Sequence, residues 1–212
     1  MSTKIITDRI TQNFEKIIAR LADEEICVYE FLKSEFDKCD VTKNFLFQFV
    51  FRSFYRLDNA GLTKEWKERY FELMQKYRIT NLDLGKLVLE LSAVPTLRGH
   101  NSLQFSFATK LYATVYDEKP IYDSYIANVF GFKPPTTGTM ELRINRFVAF
   151  YNELEETYKD LLVEGKLEIV LQEFDKKFIE NTLSQTKKLD FIFWAAGKLF
   201  YPKKTNNPIQ AQ

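Results

Sequence analysis

A chain of 212 residues, 45% of them hydrophobic, holds one large domain or two small ones and can bury a substantial core. Thirty Lys and Arg against 29 Asp and Glu leave a net charge of +1. That excludes a nucleic-acid binder held by global charge, so any DNA contact must come from a local patch. Only seven Gly and six Pro punctuate the chain, too few for a many-stranded sandwich and in keeping with long helices.

Cys27 and Cys39 make neither a disulfide framework nor a zinc spacing. The one histidine, His100, leaves too few ligands for a histidine metal site. No cofactor and no metal are expected. The first ten residues, MSTKIITDRI, carry no hydrophobic signal core. No run approaches the roughly 20 apolar residues that span a bilayer. A reduced, cytoplasmic protein without a membrane partner is the expectation. Twenty Phe and 11 Tyr read first as core packing, since helical cores use aromatics heavily.

In chain order, Ile6, Ile10, Phe14, Ile17, Ile18 and Leu21 recur at three- and four-residue steps and predict an amphipathic helix over 4–22. Residues 24–37 continue or restart it. Asp40 or Thr42 is placed to cap a helix over 42–57. That helix carries Phe45, Leu46, Phe49, Val50 and Phe54, an apolar face wide enough for burial on more than one side. Asn59-Ala60-Gly61 stops it, and Thr63 caps 64–77, with Trp66, Tyr70, Leu73 and Met74 inward. Asn81 or Asp83 starts a helix to about Ala93, ended by Pro95. The turn PTLRGHNS leads to helices over 103–116 and 121–131, joined by the loop DEKP. After FKPPTTGT come helices over 140–163, 166–180 and 186–200. Residues 203–212 read as a frayed tail. The expected fold is all-α. It is one domain over 1–202, made of a helical half (4–77), a central unit (81–131) and covering helices (140–201).

The central unit carries the chemistry. On a wheel of 103–116, apolar side chains sweep more than half the circumference. The remaining arc holds Ser106, Thr109, Ala113 and Lys110, small side chains that let another molecule approach the backbone. Lys110 is the only charge from Leu103 to Tyr116. Burial disfavours an ammonium and lowers its pKa, and a neutral amine can attack carbon and form a Schiff base. Asp123 is placed to cap the following helix. A carboxylate held there can stabilise developing positive charge or take a proton. The plainer roles are a lysine snorkelling from a core helix and a simple cap.

Thr109-Lys110 followed by Pro120-Ile121-Tyr122-Asp123 resembles the helix-hairpin-helix DNA glycosylases, most closely the 8-oxoguanine branch, over residues 80–131. The family's glycine hairpin is absent: Gln104-Phe105-Ser106-Phe107-Ala108 precede Thr109. The resemblance implies a compact helical glycosylase-like fold that flips a damaged base out of double-stranded DNA. It makes Lys110 the nucleophile at C1′ and Asp123 the catalytic aspartate, which stabilises the oxocarbenium-like transition state or activates Lys110. Tyr112, Tyr122 and Trp194 become candidate walls for the base, and Arg98 and His100 a candidate phosphate contact. Lys198, Lys203 and Lys204 with Trp194 and Phe200 form a candidate basic-aromatic edge. The competing reading is a catalytically silent helical module that binds DNA or a protein partner.

Overall fold

The computed structural model describes residues 2–202. Among them there is no strand, only eleven α-helices and one 3-10 turn. The predicted first helix is two: α1 (Thr3–Thr11) and α2 (Phe14–Ile18). The break falls at Asn13, whose side-chain amide donates to the Arg9 carbonyl at 2.9 Å and satisfies a free helix-end acceptor. Then come α3 (Asp23–Lys38) and α4 (Phe45–Phe54), the 3-10 turn Leu57–Asn59, α5 (Lys64–Tyr77) and α6 (Leu84–Ser92). The remaining helices are α7 (Phe105–Val115), α8 (Ser124–Val129), α9 (Met140–Val163), α10 (Glu168–Lys177) and α11 (Gln185–Phe200). No helix among the described residues is long and apolar enough to cross a membrane. The expected tail, 203–212, lies outside the described residues.

Capping residues place most boundaries. Thr63, Asp83, Asp123, Thr139 and Ser184 each accept from a backbone N–H in the first turn of the helix that follows. For α4 the cap is Asn44 rather than Asp40 or Thr42. Asp40 turns its carboxylate on the Thr42 amide and hydroxyl instead, an Asx turn that competes with helix entry.

One core cluster draws residues from all three predicted segments. Trp66, Tyr70, Leu73 and Met74 are fully buried, as their spacing indicates. Around α4 the outcome differs from the expectation. Phe47 and Phe51 are fully buried, but Phe45, Leu46 and Phe49 are 78%, 61% and 60% exposed. The helix packs on α3 and meets α5 through Phe47 and Phe51 against Tyr70 and Phe71. Its other face is left exposed among the described residues, because a wide apolar arc does not dictate how many helices cover it.

Helix α11 is the axis of the C-terminal half and packs against α2, α8, α9 and α10. Its closest approach is to α8. A Cβ built on Gly197 would stand 2.5 Å from the Tyr125 carbonyl oxygen and 2.6 Å from the Tyr125 Cβ. Only glycine lets the two backbones meet. Gly197→Ala is therefore expected to lower stability by about 1–3 kcal/mol through forced separation of the helices. Urea unfolding checks this, and a variant as stable as the parent contradicts the close packing.

Candidate functional site

The site is built around a loop. The segment between α7 and α8 runs from Asp117 to Asp123 and is tied down from several directions. Thr109 of α7 accepts from the Tyr122 N–H at 3.1 Å while its hydroxyl donates to the Ser106 carbonyl at 3.0 Å. The Ser106 hydroxyl donates to the Tyr122 carbonyl at 3.1 Å. From α9, the Tyr151 hydroxyl donates to the Pro120 carbonyl at 2.6 Å. From α11, the Asp190 carboxylate accepts from the Ile121 N–H at 3.0 Å, and the Lys187 ammonium donates to the Lys119 carbonyl at 2.6 Å. Lys187 and Asp190 also pair with each other at 3.0 Å, both almost wholly buried.

The small arc of α7 is thus not open. Thr109 is fully buried and Ala113 is 1% exposed. What approaches that face closely is the chain's own 120–122 segment. The arc holds the loop, and the loop aims Asp123.

Lys110, Ser106 and Phe107 of α7 line a cavity of about 390 Å³, within the range of roughly 300–1,000 Å³ usual for small-molecule sites. Asp123 lines it too, with Tyr125 and Ile126 of α8 and Asp190, Trp194 and Lys198 of α11. The segment Phe54-Tyr55-Arg56 after α4, and Glu25 and Tyr29 of α3, complete the wall.

The Lys110 ammonium lies 5.0 Å from the Phe107 ring centre and 5.4 Å from that of Tyr55. It makes no hydrogen bond and no ion pair with the described residues, and the residue is only 9% exposed. Burial lowers its pKa from 10.5 to about 8; Asp123 opposes the shift and Arg56 adds to it. Near pH 8 a large share of the amine is therefore neutral. Asp123 makes no ion pair with it, and one of its carboxylate oxygens accepts from the Tyr125 N–H at 2.8 Å. The pair consists of an amine whose pKa burial lowers to about 8 and a carboxylate fixed by a helix start. That arrangement suits nucleophilic attack on an electrophilic carbon.

The other candidate residues divide. Trp194 lines the cavity, and the Lys198 ammonium stands 3.6 Å over its ring. Tyr122 does not line it. Its ring is 5% exposed and packs among Phe105, Phe132, Phe147 and Phe150. Tyr112 points the other way on α7, against Tyr116 and Tyr151. Tyr122 is core, and Tyr112 is half-buried on the face of α7 turned to α9 rather than to the cavity. Arg98 and His100 sit exposed in the α6–α7 turn, which is pinned to the chain beyond α4 by Leu97 N–H donating to the Gly61 carbonyl at 2.9 Å. They do not line the cavity. Phe200 is covered by the Arg9 guanidinium at 3.8 Å. Lys203 and Lys204 lie outside the described residues.

Sequence reasoning missed Arg56, Glu25, Tyr55 and the Lys187–Asp190 pair. Asp190 had a readable signal: a lone acid in the apolar run Leu189–Ala196, three residues after a lysine, the same kind of oddity that singled out Lys110. Arg56 had none. Its place depends on a left-handed backbone at φ +59°, which local pattern does not announce. No family model, curated protein or solved structure matches this chain.

Two tests follow from this geometry. A lysine whose folded pKa is below its unfolded value holds fewer protons when folded, so its contribution to stability rises with pH between about 8 and 10.5. Below that window the full cost of burying the ammonium, about 3 kcal/mol, weighs on the fold. Lys110→Met is thus expected to be more stable than the parent at pH 7, with the difference shrinking toward pH 10.5. Urea unfolding of both chains across that range reads it, and a pH-independent difference rules out the buried charged state. In Asp190→Asn the buried Lys187 loses its counter-charge, at a cost of about 3–5 kcal/mol; thermal unfolding measures the loss.

Proposed function

We propose that the chain is a lysine-dependent DNA glycosylase and abasic-site lyase of the helix-hairpin-helix type. The observation that carries this reading is Lys110: a buried, unpaired amine, brought to about pKa 8, opening into the same cavity as the capping carboxylate of Asp123. A base flipped out of the duplex enters the cavity between the apolar and aromatic side chains of Phe54, Phe107 and Trp194. The Lys110 nitrogen bonds to C1′ as the glycosidic bond breaks, and that electron pair leaves with the base. Asp123 stabilises the positive charge that develops on the sugar and accepts the proton the amine gives up. Opening of the sugar ring yields a Schiff base. Loss of the C2′ proton then expels the 3′ phosphate and nicks the strand. No cofactor is required.

A second reading, a catalytically silent helical module for DNA or a protein partner, draws on the exposed Phe45, Leu46 and Phe49 of α4 and the net charge of +1. Borohydride trapping on duplex DNA containing an abasic site or 8-oxoguanine separates the two. The enzyme reading expects a covalent adduct in the parent chain and none in Lys110→Gln. Its rate should climb with pH as the amine loses its proton and level off above about pH 8. Asp123→Asn keeps a good helix cap but loses the charge, and should slow the reaction by about 10²–10⁴-fold. No adduct at all leaves the silent module, and one that survives Lys110→Gln removes Lys110 as the nucleophile.

A further inference from the structure

The charges around the cavity are unevenly satisfied. Of its acids only Asp190 has a cation partner among the described residues, while Glu25 and Asp123 each accept one backbone N–H. Glu25 accepts from the Ala22 N–H at 3.2 Å in the capping box of α3. Asp123 accepts from the Tyr125 N–H. Asp190 is taken by Lys187 and the Ile121 amide. Three cations have no carboxylate partner among the described residues: Lys110, Arg56 and Lys198.

The unpaired cations are also arranged by depth. Lys110 is buried at the inner wall. Lys198 is half-buried, its ammonium on the Trp194 face, and Arg56 is exposed. Arg56 holds its position with a left-handed φ of +59°. Such backbone is rare for a non-glycine residue and gathers at ligand sites. Burial lowers the Lys198 pKa; Glu25 and Asp123 oppose that shift, and Arg56 and Arg20 add to it. An arginine fork and an ammonium, both free, suit a phosphate ester better than a planar carboxylate held by one fork.

We propose that Arg56 and Lys198 form a phosphate-ester subsite at the outer wall of the cavity, holding the phosphate of a sugar whose anomeric carbon reaches Lys110. This rests on the reading of Lys110 as an amine that attacks a sugar C1. The phosphate has two possible sources, the DNA backbone beside an abasic sugar or a free sugar phosphate.

Equilibrium binding of ribose and ribose 5-phosphate to full-length Lys110→Gln, which lacks the amine that would form a Schiff base, followed by NMR titration, tests the subsite without the covalent step. The phosphorylated sugar is expected to bind about ten-fold tighter. With Arg56→Asn/Lys198→Gln added, that preference should fall to near one. Asparagine tolerates the left-handed backbone, and the NMR spectrum of the variant reports its fold. Equal affinity for the two sugars, no binding of either, or a preference that survives the double substitution overturns the proposal. A duplex with an abasic site whose adjoining phosphate is a neutral methylphosphonate identifies the source. Weaker binding than the native duplex assigns the subsite to the DNA backbone; unchanged binding assigns it to a free sugar phosphate. Failed borohydride trapping with the ribose 5-phosphate preference intact removes the lyase reading and leaves the subsite. Successful trapping without the preference does the reverse.

Discussion

The structure depends on how the 117–123 segment is buried. A loop in a helical core brings backbone amides and carbonyls that no helix ladder satisfies. Here they are met by side chains from three helices: Thr109 and Ser106 of α7, Tyr151 of α9, and Lys187 and Asp190 of α11. A buried ion pair is costly to desolvate. The cost is offset because both members also bond the loop backbone, Lys187 at the Lys119 carbonyl and Asp190 at the Ile121 N–H. That clamp sets where α8 begins, and the start of α8 sets where Asp123 stands.

Gly197 completes the arrangement from the other side. With no side chain there, α11 meets α8 backbone to side chain at the Tyr125 position. The same helix carries Asp190, Trp194 and Lys198 at four-residue steps, so one face of α11 supplies the clamp, the aromatic wall and an outer cation. The cavity is therefore a consequence of packing α7, α8 and α11 around one loop. Its electrostatics follow from the same packing. Burial leaves the Lys110 amine beside the ring faces of Phe107 and Tyr55, with no ion pair among the described residues, while Asp123 opposes the resulting fall in its pKa.

Much of this was readable in the chain itself. Thr63, Asp83 and Asp123 mark helix starts because short polar side chains at those points satisfy free amides, a local effect. Trp66, Tyr70, Leu73 and Met74 fall on one face by helical period alone. Lys110 stood out because a lone charge in an apolar helix has a cost that must be met somehow. Other features were not readable. The apolar arc of α4 was wide, yet Phe45, Leu46 and Phe49 remain in solvent, since periodicity counts apolar positions and not neighbours. Tyr122 and Tyr112 looked as eligible as Trp194 for the cavity wall. The direction in which each ring points is decided by the helices that close over it.

Sequence by itself determined the helical fold class, most helix starts and the oddity of a single lysine on a buried helix. These rest on interactions within a few residues: hydrogen-bonded turns, caps and a 3.6-residue period. Tertiary structure alone decided that Lys110 opens into a cavity, that the small arc beside it holds the chain's own loop, and that Arg56, Glu25 and Lys198 converge there from three distant segments. Those outcomes depend on how desolvation and pairing are distributed over the whole core. Distances between residues far apart in the chain fix that distribution, and no local pattern encodes them.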